Sequence, residues 1–142
     1  MYTQTETMKK LLSTRYSDNA FAVAMFILRL GVGGLMIPHG YSKLENFSDM
    51  AAKFTDPLGI GTTLSLALLI FAEFFCSVLI VLGLLTRLAS IPLIIAMSVA
   101  LFHAHKGLVF TEGQTAALFL MGYLVLLLVG PGKFSADKMI GK

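Results

Sequence analysis

Four apolar stretches, each about long enough to cross a bilayer as a helix, dominate this chain of 142 residues. They fall near 20–38, 60–85, 88–105 and 112–129, and each is closed by polar or helix-breaking residues. In hydrocarbon a backbone has no partner but itself, so stretches of this length must be helical. Composition agrees: 56% of the residues are hydrophobic and 13% are charged, too few charges to cover a water-soluble domain. The links after the second and third stretches are short, which makes those neighbours antiparallel. The expected fold is all-α, an integral membrane up-down four-helix bundle with one longer, partly helical external connection.

Taken in order, residues 1–19 read as a retained polar tail with a surface helix through Leu11 and Leu12. Lys9, Lys10 and Arg15 resemble the basic start of a signal peptide, but no small-x-small cleavage site follows. The first stretch ends at Pro38-His39-Gly40, where a break is expected. The connection 39–59 carries Lys43, Glu45, Asp49, Lys53 and Asp56 among Leu44, Phe47, Met50 and Phe54, a pattern for a short amphipathic helix with Ser48 as its N-cap. The second stretch ends at Gly83, before a tight turn at Thr86-Arg87. The third carries Pro92 in its first turn and closes on His103-Ala104-His105-Lys106. The fourth starts near Glu112 or Gln114 and stops at Gly130-Pro131-Gly132.

Orientation follows from Lys and Arg. One side carries Lys9, Lys10, Arg15, Arg87, Lys133, Lys138 and Lys142, the other Lys43, Lys53 and Lys106. The positive-inside rule puts both termini in the cytoplasm. The expected division is a cytoplasmic tail 1–19, a transmembrane domain 20–130 and a cytoplasmic tail 131–142. The net charge of +3 is small and dispersed, so no nucleic-acid partner is expected; the partner is the lipid bilayer.

Polar residues inside such helices carry the functional information. Arg29 and Glu73 are lone charges in apolar stretches on opposite strokes of the bundle. They are expected to pair, because an orphan buried charge is strongly destabilising. Gly31, Gly33 and Gly34 are expected to let another helix approach closely. The pair reads either as a structural ion pair or as the floor of a ligand or proton site. His39 and Lys43 are four apart and share a face on a continuing helix. His39, His103 and His105 gather at one membrane face, and haem or metal ligation by His39 plus one other can be drawn. No ligand spacing supports that, so neither haem nor a metal site is expected. Glu112 suits a helix N-terminus, and it would also lie near the histidines. Cys76, the single cysteine, reads as core, which excludes a disulfide within one chain and two-thiol chemistry. Met25, Met36, Met97 and Met121 read as packing. No complete enzyme motif is present, so catalytic residues are unassigned.

The block Arg29-Leu30-x-x-Gly33 through His39-Gly40-x-x-Lys43-Leu44, Glu73, Gly83-Leu84-x-Thr86-Arg87, and the closing Gly130 to Asp137 segment together resemble the DoxX family of small four-helix membrane proteins. The resemblance spans about 24–138; the family's usual Leu before the closing aspartate is Ala136 here. It implies a bacterial inner-membrane protein, since the family includes subunits linked to thiosulfate:quinone oxidoreductase and to membrane complexes that manage oxidative stress. The expected function is a subunit or quinone-like small-molecule binding module of a redox-linked system, with partner subunits or a homo-oligomer. The expected site has Arg29 and Glu73 as floor and His39, Lys43, His103 and Glu112 at the mouth, and a quinone suits such walls. The competing reading is a non-catalytic scaffold or carrier that holds a partner protein or lipid.

Overall fold

A computed structural model describes residues 2–141. Met1 and Lys142, the latter part of the charge count above, lie outside the described residues. Seven helices follow in order: α1 (Tyr2–Leu11), α2 (Asp18–Glu45), α3 (Phe47–Met50), α4 (Thr62–Leu82), α5 (Thr86–Ala104), α6 (Gln114–Val129) and α7 (Ala136–Ile140). There is no strand among the described residues. Helices α2, α4 and α5 are long and apolar enough to cross a membrane; α6 is apolar and shorter. Helix α2 packs on α4 and α6, and α5 packs on the same two, so the four close into an up-down ring. Leu66, Ile80, Leu93, Tyr123 and Leu126 are fully buried inside it. Ile27, Leu35, Leu68, Ile95 and Leu128 stand exposed on its outer faces, where a bilayer supplies the apolar contact.

The first helix departs from expectation. It is 28 residues long and carries Pro38 inside it, so Pro38-His39-Gly40 does not end it. Proline removes the bond to the carbonyl four residues back, here that of Gly34. The space beside Gly34 is open, which leaves room for the adjustment. Pro92 likewise sits within α5, past its first turn. The amphipathic segment shrinks to α3, with Asn46 and not Ser48 at its N-cap, and residues beyond it run as turns to Gly61. Ser17 caps α2, its hydroxyl accepting from the Ala20 amide at 3.1 Å.

One end of the bundle is clasped by the segment after α6. Helix α4 stops at Gly83, whose φ of +69° favours glycine. The Leu84 amide donates to Leu79 O (2.9 Å) and the Gly83 amide to Ile80 O (3.1 Å), a Schellman closure. The Asp137 carboxylate then accepts from the amides of Leu85 (2.6 Å) and Thr86 (2.9 Å), satisfying the start of α5 with a negative charge. The Asp137 amide donates back to Gly83 O at 2.8 Å.

Candidate functional site

Close packing of α2 on α4 sets the site. A Cβ added at Gly40 would lie 2.5 Å from the Phe74 nitrogen and 2.7 Å from the Glu73 carbonyl carbon, so only glycine lets α2 press against this backbone. The backbone there is a π-helical turn, Phe71–Cys76, one residue wider than an α turn. Such turns re-aim side chains and occur often at functional sites. Glu73 lies in it and is 5% exposed. One helical turn beyond Gly40, Lys43 reaches back along α2, as helix side chains do. Its Nζ donates to Glu73 Oε2 at 2.6 Å and to His39 O at 3.3 Å. The pair is far less exposed than the surface pairs Lys9–Glu6 and Lys133–Asp18.

Two cavities meet at Glu73. The larger, about 500 Å³, lies between α4 and α5 under a roof of residues 54–60. Its walls are almost wholly apolar, with Leu68, Phe71, Pro92, Ile95 and Val99 among them; Lys43, Glu73, His103, Ser65 and Thr55 supply the polar groups. Leu68, Phe71 and Ile95 are about half exposed, so this cavity opens sideways to the bilayer. The second π-helical turn, Ala100–Ala104, carries His103 to its wall. The roof is held by Asp56, whose carboxylate accepts from the amides of Gly61 (2.8 Å) and Ile60 (2.9 Å) and from Ser65 Oγ (3.0 Å). The Gly61 amide foremost, with those of Ile60 and the Ser65 hydroxyl, holds the Asp56 carboxyl below the usual carboxylate range. The smaller cavity, about 130 Å³, is lined by Met36, His39, Glu73, Met97, His105, Thr115, Ala116 and Phe119.

The expected pairing of Arg29 with Glu73 is not what the structure holds. Glu73 pairs with Lys43, and Arg29, 1% exposed, donates instead to the carbonyls of Ile80, Val81 and Phe134. Ile80 and Val81 belong to the last turn of α4, where carbonyls lack intrahelical donors and a cation is favoured. Arg29 stands eleven residues before Gly40 on α2, roughly 16 Å along the axis, so it belongs to the clasped end and not to the cavity floor. The register is set by Gly33, which presses on Ser77, Ile80 and Val81, and by Gly40, which presses on Glu73 and Phe74, so Glu73 lies opposite Gly40 and within reach of Lys43. Of the three glycines expected to admit a neighbour, only Gly33 does, against Ser77, Ile80 and Val81; Gly31 and Gly34 face open space.

Lys43, Glu73 and His103 come together at the larger cavity, and His39 joins Glu73 at the smaller. Glu112 is exposed and lines neither. His105, not among the expected site residues, lines the smaller cavity from just past the end of α5. The roof residues 54–60 were missed as well; Asp56 before Pro57 and Gly59 was the available signal. Among the described residues, no cluster of three His, Cys, Asp or Glu could hold a metal. Cys76 is free and buried.

Residues 24–106 match the model of the DoxX family. The chain is 29% identical over 134 residues to "Uncharacterized membrane protein Rv3486" of Mycobacterium tuberculosis, covering 84% of this chain and 82% of that protein. It is 26% identical over 128 residues to "Inner membrane protein YqjF" of Escherichia coli, covering 84% of this chain and 94% of that protein. No solved structure matches it.

Proposed function

The chain belongs to the DoxX family, and from that premise we propose that it is an inner-membrane module that binds a lipophilic, quinone-like small molecule within a redox-linked membrane system. The observation that carries the reading is a part-buried Lys43–Glu73 ion pair on the wall of a largely apolar cavity of about 500 Å³. That volume suits a small organic ligand, and few, convergent polar groups are what orients one. The Lys43 ammonium has three donors and spends two, on Glu73 and His39 O, which leaves one for a ligand carbonyl. Phe71, Leu68 and Ile95 offer apolar surface to a ring and its tail, and the sideways opening admits a ligand already dissolved in the bilayer. An inner-membrane location is in keeping with the printed name of the Escherichia coli relative.

The experiment is binding of decylubiquinone to the gently purified protein, with mass spectrometry of the small molecules extracted from it. The parent is expected to bind the probe and to carry a lipophilic carbonyl compound. Ala96→Phe, which fills the larger cavity, is expected to block binding, and Lys43→Met to weaken it by roughly tenfold, the worth of one hydrogen bond to a charged group. A protein that carries no small molecule, ignores the probe and arrives with a stoichiometric partner would overturn this reading in favour of a scaffold.

A further inference from the structure

Glu73 is the one side chain shared by the two cavities. The larger cavity meets Glu73 beside Lys43, and its walls are almost wholly apolar, with His103 the one imidazole on them. The smaller holds two imidazoles, His39 and His105, and the hydroxyl of Thr115. His39 and Thr115 are exposed, so this cavity reaches the surface. His105 follows the last residue of α5 and Thr115 is the second residue of α6, so its mouth lies at the end of the bundle away from the clasp. Its volume of about 130 Å³ has room for several waters, and its polar groups supply the partners waters need.

We propose that Glu73 exchanges protons with water through the smaller cavity, past His39 and His105, while its other side faces the ligand of the larger cavity. A proton passes from bulk water over imidazole and cavity water to the carboxylate, and the Lys43 ammonium keeps its charge. The groups that face Glu73 are Lys43 and His39 from α2, His103 and His105 from α5 and its following turn, and Tyr123 from α6. Tyr123 is engaged, its hydroxyl donating to Val32 O at 2.9 Å. From the connection, Asp56 is tied up at the roof by Ser65. An imidazole has two ring nitrogens, one to take a proton and one to give it, and suits a relay; an ammonium has donors only. The purpose of the route rests on the ligand site proposed above, but the route itself is tested without any ligand.

The experiment uses Lys43→Met in detergent. Without the ammonium, a buried carboxyl favours its protonated form, which infrared spectroscopy reads as a carboxylic C=O band absent from Lys43→Met/Glu73→Gln. On transfer to heavy water the band shifts as the proton is replaced. Adding Thr115→Phe, which fills the smaller cavity from an exposed position, is expected to slow the shift by roughly tenfold or more, and His39→Leu to slow it too. Adding Ala104→Phe, which fills the larger cavity, is expected to leave it within about twofold. No Glu73 band, an unchanged rate in both Thr115→Phe and His39→Leu, or a slowing by Ala104→Phe alone would overturn the proposal. Failure of decylubiquinone to bind would overturn the ligand reading and leave these rates as they are.

Discussion

Arg29 carries the clearest consequence of a single side chain. Its guanidinium ties the end of α4 to the Phe134 carbonyl on the clasping segment, with its carbon 5.6 Å from the Phe26 ring centre. Hydrogen bonds from a charged donor contribute about 1.5–3 kcal/mol each, so Arg29→Met should lower stability by roughly 3 kcal/mol or more. Glu73 lies far enough away for the two sites to be independent, so Arg29→Met with Glu73→Leu should be additive. Thermal unfolding in detergent checks this; recovery in the double variant would restore the direct pair that the structure replaces. Glu73→Leu should instead be offset by Lys43→Met, because that substitution removes the ammonium left behind.

At the scale of elements, the approach of α2 to α4 rests on two glycines out of four. At Gly40 an added methyl meets backbone, which cannot swing aside, so Gly40→Ala should destabilise by about 1–3 kcal/mol and loosen the Lys43–Glu73 pair. At Gly31 and Gly34 the same methyl meets nothing, and alanine's better helix propensity should leave stability unchanged or raise it by up to about 1 kcal/mol. Denaturation of the three single variants in one detergent separates these outcomes. The roof gives a pH dependence. The folded Asp56 carboxyl is held below its ordinary range, so its contribution is fully present above that range and is lost as pH falls through the depressed folded value. Protection of the Ile60 and Gly61 amides against hydrogen exchange, taken relative to the intrinsic rate at each pH, should therefore fall in acid in the parent, and already be low at neutral pH in Asp56→Asn.

For the whole molecule, the ring of four helices places the clasp, with Arg29, Arg87 and Asp137, at one end and both cavities toward the other. Arg87 repeats the logic of Arg29 by donating to Leu128 O and Val129 O at the end of α6. Lys9, Lys10, Arg15, Lys133 and Lys138 add to the same side of the chain's path. We expect that end to face the cytoplasm. With Cys76 replaced, single cysteines at Lys53 or Asp49 should react with an impermeant thiol reagent from outside intact cells, and cysteines at Lys10 or Lys138 only after permeabilisation. The opposite pattern would invert the topology and with it the side from which Glu73 meets water.

Length and polarity along the chain determined that this protein is all-helical and membrane-embedded, because no other backbone arrangement satisfies itself in hydrocarbon over such stretches. The start of α6 at Gln114, the stop at Gly83 and the buried Cys76 were legible for the same local reasons. That Lys43, Glu73, His39 and His103 line the two cavities has a trace in the sequence, since such residues are costly in apolar surroundings. Which of them meet was decided by tertiary structure alone. Pro38 does not end α2, because neighbouring helices hold the chain through a missing hydrogen bond. That continuation keeps Gly40 and Lys43 on α2, and backbone contact at Gly40 sets a register in which Gly40, not Arg29, faces Glu73. Depth in a bundle depends on register between helices, and register is set by where two backbones can touch, which residues far apart in the chain settle together.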